Sequence, residues 1–407
     1  MKLYSRFERQ SRLQQICLWL VLGVAVHGKA QTWTNTFAAA ATYMVGASAD
    51  GSKLVAACGD GDLYISTNSG IDWVQHSGLA NSTVVASSAD GNVLFDLAGL
   101  LCASTNSGKT WGSLTNAPSY NHRYGVQFIV CSGNGSKVLV AVGSGPGDAN
   151  FLISPLFTSP DYGITWISNS APITNWQSAA GSADGSKLVA AYEGVGRGGG
   201  IYTSTNFGAT WISNSVPRLS WAAVACSADG NNLVAAADHG GIYTSTNFGV
   251  TWVSNNVPKL AWSSLCSSAD GSRLVAAAGG YYQPGPIYSS TNYGANWVSN
   301  SVPVAGWMNV VSSADGYRRF ASVYKSLPGV FCSAAMPSPP LMNITNAGGD
   351  LLVSWLVPSA HFLTQRSVDL FSWAGVTNTP VLDFTNLRYQ IVLHPANNGG
   401  FYRLATP

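Results

Sequence analysis

Residues that could carry out catalysis are few and scattered in this chain. Glu193 is the only glutamate after residue 30, and the acids on variable loops are Asp60, Asp62, Asp148 and Asp238. A glycoside hydrolase needs two carboxylates about 5–9.5 Å apart. Glu193 and Asp238 belong to consecutive repeats of the chain, so they are the candidate catalytic pair. The alternative is that each is a solvated polar residue, as single loop acids usually are.

The other reactive residue types form no recognisable site. The histidines lack metal-ligand spacing, no Cys-x-x-Cys occurs, and the segment GVGRGGG lacks the Gly-Lys-Ser/Thr of a phosphate-binding loop. We therefore predict no metal and no cofactor. Cys131, Cys226 and Cys266 precede recurring turns at corresponding places in separate repeats. Such positions lie too far apart for the Cα spacing of a disulfide, about 4.4–6.8 Å, so we expect buried free thiols.

Aromatic side chains recur at one position and are the candidate ligand-binding residues. Trp176, Trp221, Trp262 and Trp307 each lie eight residues before the aspartate of a turn, and Tyr43 has a similar place. A ring of aromatic side chains at the mouth of a channel would stack on sugar rings or aromatic ligands. The alternative is packing between repeats, because buried aromatic residues more often belong to a core.

The elements that position these residues are repeats. One turn phrase, STNSGIDW at Ser66–Trp73, returns in five variants that end at Trp111, Trp166, Trp211, Trp252 and Trp297. A second turn, Ala-Asp-Gly or Gly-Asn-Gly, recurs at Asp50, Asp90, Asn134, Asp184, Asp229, Asp270 and Asp315. Short β-branched and aromatic runs between such turns indicate strands. The repeat length matches one four-stranded propeller blade, so we predict an all-β chain with seven blades.

The two ends of the repeat array are offset from each other. Trp33 precedes the first turn, at Asp50, whereas the unit that contains Asp315 has no tryptophan after it. We therefore expect the segment at Trp33 to supply the outer strand that the last unit lacks. This pairing closes the ring and leaves only short, protected sheet edges. The prediction is a seven-bladed β-propeller over residues 31–335.

The phrase S-T-N-x-G-x-T-W resembles the Asp-box (BNR) motif, S-x-D-x-G-x-T-W, of sialidase-like propellers. The aspartate is kept only at Asp161, and asparagine replaces it at Asn68, Asn106, Asn206, Asn247 and Asn292. In that family this turn joins the third and fourth strands on the face away from the ligand funnel, so the resemblance implies a scaffolding role. The Arg-Ile-Pro segment of sialidases is missing, and sialidase activity is not implied.

The first 30 residues have the pattern of a secretory signal peptide. Basic residues precede an apolar run of 11 residues, 16–26, and Gly-Lys-Ala ends at Ala30. Such a run is too short to span a bilayer, and we expect no membrane span elsewhere. Without this segment, Lys+Arg falls from 20 to 15 and Asp+Glu from 18 to 17, which leaves no basic stripe for nucleic acid. The predicted location is secreted, cell-surface or periplasmic.

The repeat pattern ends at residue 335. Residues 336–340 (MPSPP) form a Pro-rich linker, and residues 341–407 contain about five strand-like runs that predict a small β-sandwich-like accessory module. Its segments L-x-Q-R-S-x-D-L-x-x-W and F-Y-R-L resemble a C-terminal module of secreted proteins from Verrucomicrobia and Planctomycetes. The resemblance implies a bacterial protein and an accessory or surface-association role.

Function is predicted to lie on the face that carries the loops of variable sequence, opposite the recurring turns; we call it the loop face. The leading hypothesis is a monomeric, secreted, non-enzymatic recognition or scaffold protein that binds a glycan or an extracellular protein there. One alternative is a glycoside hydrolase of the Asp-box propeller type that uses Glu193 and Asp238. A second alternative is a structural cell-surface protein.

Overall fold

The computed structural model describes residues 33–37, 41–76, 79, 81–118, 126–142, 155–172, 174–194, 198–280, 283–324, 328–334, 340, 342–347, 350–358, 362–367, 371–393 and 401–405. This part of the chain consists of strands, turns and bends and contains no helix. None of its elements is therefore a helix that could cross a membrane. The all-β prediction is confirmed for these residues.

The strands of the repeat region are short and follow one another closely. In chain order they are β1 (Thr34–Phe37), β2 (Thr42–Ala47), β3 (Leu54–Cys58), β4 (Leu63–Ser66), β5 (Val74–His76), β6 (Ser82–Ser87), β7 (Leu94–Ala98), β8 (Leu100–Ser104), β9 (Gly112–Ser113), β10 (Val126–Cys131), β11 (Val138–Val142), β12 (Leu156–Ser159), β13 (Ile167–Ser168), β14 (Trp176–Gly181), β15 (Leu188–Tyr192), β16 (Gly200–Ser204), β17 (Ile212–Ser213), β18 (Trp221–Cys226), β19 (Leu233–Gly240), β20 (Ile242–Ser245), β21 (Val253–Ser254), β22 (Leu260–Ser267), β23 (Leu274–Ala278), β24 (Ile287–Ser290), β25 (Val298–Ser299), β26 (Trp307–Ser312), β27 (Arg318–Val323) and β28 (Gly329–Ala334).

These strands pair in antiparallel units of four. The units are β2–β5, β6–β9, β10–β13, β14–β17, β18–β21 and β22–β25, and the last two are joined because Asp238 and Gly240 of β19 pair with Ala261 and Leu260 of β22. The second strand of most units reads Leu-Val-Ala-Ala and is buried. Small residues here allow neighbouring sheets to pack face to face.

The units are arranged in a cycle. The first strand of each unit contacts the first strand of the next, from β2 through β6, β10, β14, β18, β22 and β26 back to β2. Backbone hydrogen bonds follow the same cycle at the turn end, where each N–H donates to the carbonyl of the next residue in the order Ala49, Ala89, Gly133, Ala183, Ala228, Ala269, Ala314 and Ala49. Four-stranded sheets around a common axis are the architecture of a β-propeller.

The N-terminal strand closes this cycle. The closing sheet has the order β1-β28-β27-β26, with Thr34 opposite Cys332 and Phe37 opposite Val330. The Phe37 ring packs against Tyr64 and Trp73 of the next unit, at centroid distances of 4.8 and 5.0 Å. The pairing of the two ends is the one that the offset between them predicts.

Adjacent units are also joined through the Ala-Asp-Gly turns. The Lys187 side chain packs against Gly230 of the next unit, and a Cβ added to Gly230 would lie 3.0 Å from the Lys187 Cβ. The Lys187 Nζ also donates a hydrogen bond to the Asp229 carbonyl at 3.0 Å. Gly230 also has a φ of +72°, so both its backbone and its neighbour require glycine. Arg318 lies on Gly51 in the same way, which completes the cycle.

The described residues between 343 and 405 form a separate pair of sheets, which we call the C-terminal unit. Its strands are β29 (Asn343–Ala347), β30 (Asp350–Leu356), β31 (Leu363–Ser367), β32 (Ala374–Gly375), β33 (Val381–Asp383), β34 (Arg388–Leu393) and β35 (Phe401–Ala405). They pair as β29-β30-β34-β33 and β32-β31-β35. The core of the unit contains Val353, Trp355, Phe362, Ile391 and Leu404.

Candidate functional site

The recurring turns all lie on one face of the ring, which we call the turn face. In an antiparallel unit the first and third connections leave from the same end, and these are the Ala-Asp-Gly turn and the S-T-N-x-G-x-T-W turn. The second connection, and the one that leads into the next unit, form the loop face. The two faces therefore differ in kind: one is repetitive and the other varies from unit to unit.

The C-terminal unit covers the centre of the turn face. Val357 is buried in a cluster with Ala49 and Ala314 of the ring, and Leu387 packs at its edge. Leu387 also lines the turn end of the central channel, a cavity of about 190 Å³. The Phe384 carbonyl would be 2.6 Å from a Cβ at Gly133, so only glycine permits this approach. The C-terminal unit therefore covers the cavity at this end of the ring.

The S-T-N-x-G-x-T-W turns are held by internal hydrogen bonds. In one of them, the Ser204 Oγ accepts a hydrogen bond from the Gly208 N–H at 2.9 Å and donates one to the Asn206 Oδ1 at 3.0 Å. The Asn206 Oδ1 also accepts a hydrogen bond from the Thr210 N–H at 2.9 Å. The Asp161 Oδ1 accepts the equivalent Thr165 N–H at 2.8 Å. Asparagine and aspartate therefore accept the same backbone hydrogen bond, and these contacts stabilise the turn itself.

The structure places the four candidate tryptophans in the core. Trp176, Trp221 and Trp307 are 0% exposed and Trp262 is 2% exposed. The Trp262 Nε1 donates to the Gly240 carbonyl at 3.0 Å. An indole without an exposed face has no surface on which a sugar could stack. Burial therefore argues against the ligand-binding role suggested by the sequence and in favour of packing between units.

Tyr43 is the candidate aromatic residue that remains partly exposed. Its ring stacks on Tyr324, from the sheet that closes the ring, with centroids 4.5 Å apart and planes inclined at 19°. The two hydroxyls are 3.1 Å apart. A Cβ at Gly59 would lie 2.7 Å from the Tyr324 ring, so glycine is needed for this approach. The pair forms an amphipathic surface on the loop face, with ring carbons beside two hydroxyls.

The two candidate acids lie on either side of one serine. The Glu193 carboxylate accepts from the Ser220 Oγ at 3.1 Å and from the side-chain amides of Asn175 and Gln177 at 3.4 and 3.3 Å. The Ser220 carbonyl accepts the Asp238 N–H at 2.7 Å. Ser220 therefore contacts the side chain of Glu193 and the backbone of Asp238. Both side chains are exposed.

Asp60 and Asp62 lie in the loop between β3 and β4 of the first unit. The Tyr64 hydroxyl donates to the Asp60 carboxylate at 3.1 Å, and the Gln75 side-chain amide donates to Asp62. Partial burial and the hydrogen bond to Asp60 raise the pKa of Tyr64 to about 12. Asp148 lies outside the described residues. Among those that are described, no group of three or more His, Cys, Asp or Glu side chains is placed to hold a metal ion.

The described cysteines are all free thiols, as predicted. Cys131 and Cys226 line the channel, whereas Cys266 lies between two units, with Val275 and Val310. The sequence interpretation placed all three at corresponding positions. This was wrong for Cys266, which lies one residue further from its turn and points the other way. Burial raises the pKa of Cys131 to about 12 and of Cys266 to about 11, so both thiols stay protonated.

Sequence reasoning missed three residues that shape these surfaces. Tyr324 belongs to the least regular repeat, and its pairing with Tyr43 depends on closure of the ring. Ser220 directly precedes Trp221 and carries no motif. Leu387 has a positive φ of 53°, and no sequence pattern indicates its place at the channel.

Comparison of the chain with solved structures identifies its fold. No family model matches the chain, and no curated protein sequence is similar to it. Among solved structures, YCF48 bound to D1 peptide has a TM-score of 0.56 at 14% identity, over 77% of this chain and 99% of that one. YCF48 from Cyanidioschyzon merolae has a TM-score of 0.54 at 13% identity, over 75% and 98%.

A third structure leads to the same conclusion. The β-propeller domain of Cps50 (Swd1) from Myceliophteria thermophila has a TM-score of 0.57 at 13% identity, over 75% of this chain and 100% of that one. Likeness at such low identity shows the fold alone. Together with the cyclic arrangement of its sheets, it shows that this chain has a β-propeller fold.

Proposed function

We propose that this chain is an exported, seven-bladed Asp-box propeller that recognises a polypeptide segment of a partner protein on its loop face, without catalysis. The observation that carries the proposal is the position of the C-terminal unit. Val357 and Leu387 occupy the turn face at the channel. The loop face, whose side chains vary from unit to unit, is then the candidate recognition surface.

The side chains on the loop face suit a peptide. Tyr43 and Tyr324 offer ring carbons beside hydroxyls, a combination enriched in protein interfaces. Ser220 and the Glu193 carboxylate offer hydrogen-bonding groups that complement a peptide main chain. A structural neighbour described as bound to a peptide supports the same assignment. The glycan named by the sequence hypothesis is the alternative ligand for this face.

A displayed peptide library tests the proposal. Peptides are selected on the full chain and their Kd is then measured against two variants. Tyr43→Ala removes an aromatic face and should weaken binding about tenfold. Val253→Ala, on the exposed edge strand β21, is the matched control and should leave the Kd unchanged. Loop-face recognition would be refuted if neither Tyr43→Ala nor Glu193→Gln changes the Kd of the selected peptides.

A glycoside hydrolase remains the second candidate. The Ser220 hydroxyl donates to the Glu193 carboxylate and the Ser220 carbonyl accepts the Asp238 backbone N–H, so the two acids belong to adjacent loops. Release of reducing sugar from a polysaccharide panel, abolished by Glu193→Gln, would favour it over the binding proposal. Export after cleavage near Ala30 is part of the leading proposal. Mass spectrometry of protein recovered from outside the cytoplasm should give an N-terminus at Gln31, and an intact Met1 there would contradict cleavage.

A further inference from the structure

A basic residue recurs on the turn face where the turn of one unit meets the turn of the next, a contact that we call a junction. It stands three residues after the aspartate or asparagine of each Ala-Asp-Gly or Gly-Asn-Gly turn, and it packs against the glycine of the next turn. In the described residues it is lysine or arginine at Lys53, Lys137, Lys187, Arg273 and Arg318. The exceptions are Val93 and Asn232. The lysine junctions show how the turn face binds an ammonium group.

Lys187 has two kinds of contact at its junction. Its Nζ lies 5.3 Å from the centroid of the Phe248 ring and donates a hydrogen bond to the Asp229 carbonyl at 3.0 Å. An ammonium within about 6 Å of a ring centroid is attracted by the face of the ring. One aromatic ring and one turn carbonyl therefore form the site. The preceding junction repeats this arrangement with Lys137, Phe207 and Asp184.

Val93 occupies the position of the lysine at the junction between the β6–β9 and β10–β13 units. A Cβ added to Gly135 would lie 2.6 Å from the Val93 Cβ, so the valine packs against the next turn as the lysines do. Its side chain ends at the γ carbons and carries no charge. The turn carbonyl of this junction belongs to Asn134, and within the described residues it accepts no hydrogen bond. This junction thus has the carbonyl without the lysine.

The aromatic ring of this junction is that of Tyr162. The Tyr162 N–H donates to the Ser136 carbonyl at 2.7 Å, as the Phe248 N–H donates to the Asn231 carbonyl at 2.8 Å. Both residues have a positive φ, 61° for Tyr162 and 54° for Phe248, so the two rings leave equivalent backbone positions. Tyr162 is 38% exposed, whereas Phe248 is half-buried beside Lys187. The Tyr162 ring is therefore accessible to a ligand.

The charge beside Tyr162 also favours a cation. Asp161 is the one aspartate at the third position of the S-T-N-x-G-x-T-W turns, where the others have asparagine. Its Oδ1 accepts the Thr165 N–H at 2.8 Å, and this hydrogen bond holds the pKa of Asp161 below its usual value. The carboxylate is therefore ionised at neutral pH. Charges attract each other through solvent over about 8 Å at physiological ionic strength, which includes the neighbouring residue.

The lysines closest in sequence are bound at other junctions. The Lys53 Nζ donates to the Asn92 Oδ1 at 2.7 Å and to the Ser107 Oγ at 3.1 Å, in the preceding junction. The Lys137 Nζ is bound in the following junction. Lys109 belongs to the same turn as Ser107, in the preceding unit. Tyr162 is thus next to a carboxylate, while Lys53 and Lys137 have partners elsewhere.

We propose that Asn134 and Tyr162 bind a primary alkylammonium group, the chemistry of a lysine side chain or a free polyamine. The ring face and the carbonyl are the two contacts that Lys187 uses in its own junction. The Asn232 junction is not such a site, because the Asn232 Nδ2 already donates to the Asp270 carbonyl at 3.2 Å. The proposed site lies on the turn face and does not depend on the function proposed for the loop face.

Fluorine NMR on the full chain labelled with meta-fluorotyrosine tests the proposal. Tyr162→Ser assigns the Tyr162 resonance, and this variant should keep the fold because Ser69 and Ser107 occupy the same position in their turns. At constant ionic strength, the resonance should shift saturably with the peptide N-acetyl-Gly-Lys-Gly-amide or with putrescine. The lower Kd of the two identifies a polypeptide or a free polyamine as the source. A peptide with norleucine in place of lysine should give no shift.

Two variants exchange the residues of neighbouring junctions. Val93→Lys supplies the ammonium group from the chain itself and should abolish the response of Tyr162 to either ligand. Lys137→Val should create a second site, so that Phe207, labelled as para-fluorophenylalanine, begins to respond. The matched control is Tyr293→Ser, since Tyr293 is 47% exposed at the corresponding position of the Asn232 junction. It should leave the response of Tyr162 unchanged.

Three results would overturn the proposal. The first is the failure of both ammonium ligands to shift the Tyr162 resonance, or an equal shift with the norleucine peptide. The second is a wild-type Kd in Val93→Lys, because the added lysine should compete for the same ring and carbonyl. The third is a Phe207 resonance that stays silent in Lys137→Val at an unchanged Tm, because the ring and the carbonyl would then not suffice for binding.

Discussion

The Ala314 N–H donates to the Ala49 carbonyl at 2.6 Å, and this bond joins the last repeat to the first. It completes a cycle of backbone hydrogen bonds at the turn end of the innermost strands. The same two residues form a buried cluster with Val357 of the C-terminal unit. Closure of the ring and coverage of its turn face therefore occur at one place.

Closure makes the N-terminal strand essential for stability. Phe37 is buried and packs against Tyr64 and Trp73 of the next unit. Phe37→Ala should lower the free energy of unfolding by about 3–5 kcal/mol, measured by denaturant titration. Val253→Ala, on an exposed edge strand, should change it by less than about 0.5 kcal/mol. Equal effects of the two variants would show that β1 does not hold the ring closed.

A buried carboxyl should make stability depend on pH. Asp96 is 0% exposed and accepts one hydrogen bond, from the Ser82 Oγ at 2.9 Å. Burial raises its pKa from 3.8 to about 7. The folded state therefore holds a proton that the unfolded state loses, and stability falls as the pH rises from about 4 to about 7. The loss totals on the order of 4 kcal/mol.

Asp96→Asn removes the ionisable group and tests this directly. The stability of the variant relative to wild type should increase by on the order of 4 kcal/mol between about pH 3 and about pH 8, with most of the change between about pH 4 and about pH 7. Asp72→Asn, at an exposed turn position, should leave the pH profile unchanged. A wild-type profile that stays flat between these pH values would contradict a buried carboxyl.

The S-T-N-x-G-x-T-W turns should tolerate exchange of Asn for Asp but not loss of the serine. The Ser204 Oγ is buried and bonds to the Gly208 N–H and to Asn206. Ser204→Ala should cost about 1–3 kcal/mol of unfolding free energy. Asn206→Asp should be nearly neutral, because Asp161 makes the same contacts in its own turn. Thermal unfolding of both variants decides this, and the reverse ranking would refute the assigned geometry.

The buried tryptophans should affect stability and not recognition. Trp262→Phe keeps an aromatic ring and removes the hydrogen bond to the Gly240 carbonyl. We expect a loss of about 1–3 kcal/mol in unfolding free energy, with the Kd for a selected loop-face peptide unchanged. A weakened Kd at unchanged stability would restore the ligand-binding role that the sequence suggested.

Much of the fold was predictable because each repeat carries its own turns. Glycines with positive φ, such as Gly51 and Gly230, mark turns that only glycine forms readily. The offset between Trp33 and Asp315 predicted which ends pair, since an unpaired strand at either end is unfavourable. The positions of the strands and turns follow from the local sequence. The pairing of the two ends follows from the strand that each end lacks.

The candidate site was less predictable because burial depends on neighbouring units. Trp221 in a strand is compatible with a core position or with a channel mouth, and only the packed sheets distinguish them. The contact of Leu387 with the channel depends on how the C-terminal unit docks.

Hydrogen exchange on the full chain, measured with and without a peptide selected for binding, tests recognition on the loop face. Peptide binding should slow exchange on the loop face, in the segments around Tyr43, Glu193 and Asp238, and should leave exchange at the turn face around Leu387 unchanged. Protection around Leu387 with none around Tyr43 and Glu193 would contradict recognition on the loop face.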